Sequence, residues 1–340
     1  MYVDALFDRD HDTIHVVERI GGKRNFRKFS AQYVFYYLDS RGKFISIYGD
    51  SLGRVNTTTG KHFHREKKLY KHKKLYESDI NPIFKCLSEN YADGEAPTLH
   101  KCFFDIEVDF DTNKGFADPS DAFAPVNAIS LYLSWIDKLI TLCIKPNTLT
   151  TFEGQDIVDK FNDTILCHNE EELLETFLSL IDDADVLSGW NSEGFDIPYM
   201  VNRTARILGK QRTREFCLWG QLPKKREYEK YGREQASYDL KGRIHLDYLE
   251  LYRKYTYHEM HSYSLDAIGE YELGERKIAY DGTLDQLFKN DFETFIEYNR
   301  QDCILLKKFD DKLQFIDLSN VLAHANTVLI QTTMGAVAVT

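Results

Sequence analysis

Lys101-Cys102-Phe103-Phe104-Asp105-Ile106-Glu107-Val108 decides how this 340-residue chain is read. Side chains alternate faces along a β-strand, so Asp105 and Glu107 share one face while Phe104, Ile106 and Val108 share the other. The apolar face can seat the strand in a core. The two carboxylates then converge on one point, about 7 Å apart along the backbone. Like charges held that close repel unless a hard divalent cation lies between them. A strand end with a solvated acidic face, continuing through Asp109 and Asp111, accounts for the same residues without a metal.

Two later segments supply matching carboxylates. Ala184-Asp-Val-Leu-Ser-Gly-Trp-Asn-Ser-Glu-Gly-Phe-Asp196-Ile-Pro198 reads as a buried strand, a glycine-bearing turn and a helix over 197–208, closed by Gly209. Asp196 stands at the start of that helix, where an N-cap role is the plain structural expectation and Pro198 is tolerated in the first turn. Glu297-Tyr-Asn-Arg-Gln-Asp302 falls inside a helix expected from about Asp291 into the Lys307-Lys308 region. Tyr298 and Asp302, at i and i+4, share one helix face. Singly, each feature is more often structural. The order D-x-E, N-x-x-x-F-D, Y-x-x-x-D is far harder to obtain by chance.

That set resembles the DEDD family of 3′→5′ exonucleases in its tyrosine-bearing branch. The histidine-bearing branch places His five residues before the last Asp, and here that residue is Glu297. Ser188 to Tyr199, Leu246 to Tyr252, Ser262 to Asp266 and Tyr280-Asp-Gly282 narrow the match. They resemble the proofreading half of family B replicative DNA polymerases, with those of T-even-like phages nearest. The resemblance runs from about residue 99 onward. It implies a ribonuclease H-like α/β exonuclease domain, a mixed sheet flanked by helices, preceded by a small, mostly β N-terminal domain.

Composition fits that outline. With 43% apolar residues the chain is long enough for two domains with cores. No apolar run reaches 18 residues and no signal segment opens the chain, so a soluble, cytoplasmic protein without membrane contact is expected (in the host cytoplasm if phage-encoded). The six scattered cysteines contain no C-x-x-C and suit a reducing compartment. Net charge is −11, but residues 1–98 carry 17 Lys and Arg against 13 Asp and Glu, while the remainder carries 26 against 41. A nuclease that grips DNA through metal ions concentrates carboxylates, so the acidic half is compatible with DNA.

Three domains are expected: 1–98, 99–314, and a return segment 315–340 leading back toward the first. Short apolar runs at 14–17, 33–38 and 44–48, broken by glycines, predict strands in the first. Lys61 to Lys74 is a dense basic run with Phe63 and Tyr70 between the charges. Contact with a nucleic-acid backbone and a solvated charged face both account for it. Ile47-Tyr-Gly-Asp-Ser51 superficially resembles a polymerase palm motif, lacks the second Asp, and reads as strand and turn. Ala92 to Pro97 reads as a linker. From residue 101, strands over 101–109, 127–135 and 139–144, with a two-residue turn at Asp137-Lys138, precede a helix over 169–182, the 185–190 strand and the 197–208 helix. Residues 222–246 match the place where the family carries a hairpin that parts primer from template. A simple surface excursion is the other reading. The chain ends without palm motifs, as a truncated or naturally split polymerase would.

The resemblance also implies site roles and a two-ion Mg²⁺ (or Mn²⁺) centre. Asp105, Glu107 and Asp302 would hold the ion that activates water, Asp105 would bridge to a second, and Asp196 would hold that one directly or through its waters. Tyr298 would orient the attacking water, since a phenol pKa near ~10 makes a poor base at neutral pH. Lys277 matches a lysine near the scissile phosphate, with a surface loop lysine as its alternative. Asn191 and Phe195 match residues that contact the 3′-terminal nucleotide, and Phe116 an aromatic that wedges against frayed bases. Phe195 equally suits a core position. Implied partners are DNA as a single-stranded 3′ end or primer-template, a polymerase-domain polypeptide and replisome proteins. A catalytically silent DNA-binding subunit and a stand-alone exonuclease are the competing readings. All four carboxylates are present, which weighs against the first.

Overall fold

In the computed structural model, which describes residues 1–110, 115, 117–230 and 232–335, the chain divides into two units. One comprises Met1–Pro97 together with the segment from Asn320; the other is Thr98–Ser319. In the first, β1 (Tyr2–Asp8), β2 (Thr13–Ile20) and β3 (Lys23–Ser30) pair in that order. A second sheet takes β4 (Tyr33–Leu38), β5 (Phe44–Ile45), β6 (Ser51–Thr57) and β7 (Leu75–Tyr76) in the order β5-β6-β4-β7. Ile14 and Val16 alternate into a core with Tyr2 and Leu87. The palm-like pentapeptide forms the turn between β5 and β6, with Gly49 at φ +85°. The apolar runs predict strands alone, yet two helices are present as well. Thr59 caps α1 (Gly60–Leu69) and Asn81 caps α2 (Pro82–Tyr91), each accepting a first-turn backbone N–H. The first half of the basic run is therefore α1, which turns Phe63 toward Tyr33 and Phe35. Within the same unit the Tyr2 hydroxyl donates to the Val328 carbonyl at 2.7 Å.

The second unit opens with β8 (Lys101–Val108), β9 (Val126–Leu133) and β10 (Lys138–Cys143), antiparallel neighbours in sequence order. The β9–β10 turn is longer than expected. It spans 134–137, with Asp137 in the left-handed region at φ +50°, and Lys138 already pairs with Leu133. Next come α3 (Thr151–Val158), β11 (Thr164–Leu166), α4 (Glu170–Leu180), β12 (Val186–Ser188) and α5 (Asp196–Ile207). Asn169 caps α4, whose first turn carries Glu170, Glu171 and Glu172, the sign a helix N-terminus favours. After α5 a hairpin forms from β13 (Lys224–Lys230) and β14 (Arg233–Asp239), followed by β15 (Ile244–His245). The helices α6 (Tyr248–Tyr255), α7 (Leu265–Leu273), α8 (Leu284–Asn290), α9 (Phe292–Leu313) and α10 (Phe315–Ala325) complete the element order.

The main sheet runs β11-β10-β9-β8-β12-β15, with β12 parallel to β8 and to β15. It is the mixed sheet flanked by helices that the sequence predicts. Cys102, Phe104 and Ile106 of β8 enter one core with Ile129, Leu131, Leu174, Phe177 and Met200. On the opposite face Ala128 and Cys143 pack with Phe292, Phe295 and Ile296 of α9. The buried stripe of α9 recurs at 292, 295, 296, 299, 302, 303 and 306, the spacing of an amphipathic helix. Asn299 and Asp302 are polar members of that otherwise apolar stripe. No helix among the described residues is long and apolar enough to cross a membrane.

Candidate active site

Strand alternation aims Asp105 and Glu107 at the sheet face that α9 covers, and the helix returns Asp302 to meet them. One carboxylate oxygen from each of Asp105, Glu107 and Asp302 lies within 4.8 Å of the others. Immediately after Glu107 the β8–β9 register shifts, a bulge of the kind that re-aims side chains beside sites. Glu107 and Asp302 are buried and Asp105 half-buried. Asp196 is buried too but stands outside this triplet. It is the first residue of α5 and not its cap, a place taken by Phe195 without any side-chain bond. Its carboxylate is held by its own backbone N–H and by that of Ile106.

Electrostatics record the crowding. Burial, with repulsion from Asp302, Glu107 and Asp196, lifts Asp105 well above the carboxylate range. Burial first and Asp302 second push Glu107 up to about 8. Burial raises Asp196 to about 7 against the pull of its own and the Ile106 backbone N–H groups. Asp302 rises to about 6 because burial outweighs the Lys277 ammonium. Lys277 Nζ is ion-paired with Asp302 Oδ2 and sits 4.7 Å from the Tyr298 ring centroid. Burial alone would lower Lys277, but Asp302 and Asp105 override it and raise its pKa. Tyr298 is pushed up by burial and then by Asp302, and Tyr280 meets its ring edge-on at 5.2 Å.

Asp302 Oδ1 is buried with no hydrogen-bond partner. A bare anionic oxygen in a core is costly, and three converging carboxylates make it more so. A divalent ion removes both penalties. All-oxygen donors with room for water and phosphate suit Mg²⁺ or Mn²⁺. The residues present fit such an ion.

The turn between β12 and α5 is built closely. A Cβ on Gly189 would lie 2.8 Å from the Phe104 carbonyl oxygen and 2.9 Å from Ser192 Cβ. Asn191 is exposed and adopts φ +59°. Phe195 is half-buried, stacked on Tyr199 at 5.3 Å and packed against the main core. Phe116 lies outside the described residues.

The motifs do not single out two further residues. Asp247 caps α6 and also accepts the Asn191 and Glu193 backbone N–H groups, both at 3.0 Å, so it pins the turn that carries Asn191. Burial raises it to about 7. Asn299 donates to Asp105 Oδ2 at 2.9 Å. Its signal was present in the sequence: an amide on the buried stripe of α9, three residues before Asp302.

Comparison with known proteins identifies the family. The family described as DNA polymerase family B, exonuclease domain, matches residues 58–268, a span that ends before Tyr298 and Asp302. The DNA-directed DNA polymerase of Escherichia phage RB69 is 31% identical over 69% of this chain and 28% of its own length. That of Enterobacteria phage T4 is 28% identical over 63% of this chain and 26% of its own. The DNA polymerase delta catalytic subunit of Candida albicans is 31% identical over 38% of this chain. The chain spans only about a quarter of the length of the two phage relatives.

Proposed function

Because the chain belongs to the exonuclease-domain family of family B DNA polymerases, we propose that it hydrolyses the 3′-terminal phosphodiester of DNA, as the proofreading portion of such a polymerase in viral DNA replication. The observation that carries this reading is the buried meeting of Asp105, Glu107 and Asp302 around an unpartnered carboxylate oxygen.

Asp105, Glu107 and Asp302 would hold one divalent ion, and Asp196, with Asp105, would hold a second, in the tyrosine-bearing DEDD manner. When bound, such ions supply a hydroxide nucleophile at neutral pH and offset charge on the phosphorane and the leaving 3′-oxygen. Tyr298, its phenol raised by burial, keeps its proton and donates it to orient the attacking water. Lys277 moves from Asp302 toward the scissile phosphate as charge develops there. Asn191 and Phe195, with Phe116, receive the frayed 3′ end, where stacking contributes roughly 1–3 kcal/mol per base. The β13–β14 hairpin stands ready to part primer from template. Nucleotide addition belongs to a palm region outside these residues, joined in one polypeptide or supplied as a partner, and the site of action is the cytoplasm of an infected host.

The test uses an oligonucleotide labelled at its 5′ end. Stepwise shortening with Mn²⁺ or Mg²⁺, stopped by EDTA, is the expected result. Intact label after long incubation with Mn²⁺ would instead favour a silent DNA-binding subunit.

A further inference from the structure

Cross-strand partners place four polar residues in one row: Asp105 opposite Ser130, Ser130 opposite Thr141, and Thr141 opposite Thr164. The row crosses β8, β9, β10 and β11 on the face beneath α9. Ser130 and Thr141 are fully buried. An unpaired hydroxyl there costs roughly 1–3 kcal/mol, so such a row persists only if its hydrogen bonds close.

They close in one direction. Arg300 Nη1 donates to Thr141 Oγ1 at 3.0 Å and to Thr164 Oγ1 at 2.9 Å. A guanidinium only donates, so Thr141 accepts there and turns its own hydrogen to Ser130 Oγ, 3.0 Å away. Ser130 donates to Asn299 Oδ1 at 2.7 Å. The Asn299 amide nitrogen is thereby left to donate to Asp105 Oδ2 at 2.9 Å and to the Asp105 carbonyl at 3.3 Å. A reversed amide would set oxygen against carboxylate, so the network fixes its orientation. From Arg300 through Thr141, Ser130 and Asn299, each donor points toward Asp105, while the second Arg300 bond anchors the series at Thr164.

We propose that Asn299 is a positioning residue for the metal centre. It occupies Oδ2 of Asp105, fixes the rotation of that carboxylate, and leaves Oδ1 to the ion. Ser130, Thr141 and Arg300 fix Asn299 in turn. Packing alone does not call for an amide here, since apart from Asp302 the neighbouring positions of the stripe are filled by Phe295, Ile296, Cys303 and Leu306. The assignment rests on the reading of Asp105, Glu107 and Asp302 as metal ligands.

The experiment is Mn²⁺ titration calorimetry on the full 340-residue chain without DNA, with thermal unfolding in EDTA alongside. Asn299→Leu, close to isosteric, is expected to weaken Mn²⁺ binding by about tenfold, the scale on which partners of metal ligands act. Ser130→Ala, which removes the buried donor to Asn299 Oδ1, is expected to weaken it by roughly two- to tenfold, the equivalent of one hydrogen bond. In the Asn299→Leu background Ser130→Ala should add little, because both changes cut one series. Equal Mn²⁺ binding by wild type and the two folded single variants would overturn the positioning role. If Asn299→Leu does not fold, Ser130→Ala decides alone: unchanged binding overturns the role and weakened binding supports it. A wild-type chain that binds no Mn²⁺ would sink the metal-centre reading itself.

Discussion

Asp105 and Tyr298 occupy different places in the proposed chemistry, and substitution should separate them. Asp105→Ala should abolish cleavage and Mn²⁺ binding while the chain stays folded, because it relieves repulsion in the metal-free cluster. The Asn299 amide keeps the Asp105 carbonyl as an acceptor in that variant. Tyr298→Phe should bind Mn²⁺ as wild type does and lose up to roughly a hundredfold in single-turnover rate, the scale of a misplaced reactant. If both variants lost metal binding, this division of roles would be wrong. Lys277→Met should act in the opposite sense on the ion. Without the ammonium that pairs with Asp302, Mn²⁺ should bind more tightly while cleavage slows. Slower cleavage with weaker Mn²⁺ binding would instead make Lys277 a support for the ligands. The strand period puts Asp105 and Glu107 on one face and the helix period does the same for Tyr298 and Asp302, whereas Asp196 was picked out by motif order and the family resemblance. The Lys277–Asp302 ion pair was not legible in the sequence, since it joins a loop after α7 to the middle of α9 and depends on how those segments pack.

At the scale of elements, the β12–α5 turn packs closely on β8 between the segments that carry Asp196 and Asp105. Gly189→Ala forces a methyl against the Phe104 carbonyl, which cannot rotate away. It should cost roughly 1–3 kcal/mol of stability, as overpacking does, and should slow cleavage because the displaced segments carry two carboxylates. Urea denaturation checks the first part, and a variant of wild-type stability would refute the close packing. The long alternating strands β8 to β10 could be read from the sequence, as could α5 and α9 from their apolar spacing. Strands β11 and β15, three and two residues long, carry too few positions to show a period. Helix α1 has no buried residue, so its basic surface hides it from a search for apolar stripes. The β9–β10 turn was misjudged in length because Asp137 adopts a left-handed conformation that its residue type permits without demanding.

For the whole molecule, clustering four carboxylates with raised pKa values makes stability depend on pH in a predictable sense. Their unfolded values lie near ~4, and the folded values cited reach about 8 at Glu107. Between those limits the metal-free folded state binds more protons than the unfolded state. The cluster's contribution to stability is thus fully present below about pH 4 and is lost as pH rises through the folded pKa values. In EDTA this contribution to the unfolding free energy should decline from acid to neutral pH, against the opposite trend of the His245 imidazole, which burial lowers to about 3. Mn²⁺ should reverse the decline, with a gain in Tm that grows with pH, and Asp105→Ala should flatten it. A pH dependence of Tm in EDTA that is identical in wild type and Asp105→Ala would contradict the clustering. The polar row beneath α9 has a consequence for folding fidelity as well. A one-residue slip between β8 and β9, or between β9 and β10, would send its members into the apolar face, and a two-residue slip would strand buried hydroxyls opposite hydrocarbon. Apolar strands alone tolerate several alignments of similar energy. Here the wrong alignments are rejected by the polar side chains that close on Asp105, so a misregistered sheet is selected against before the carboxylates can meet.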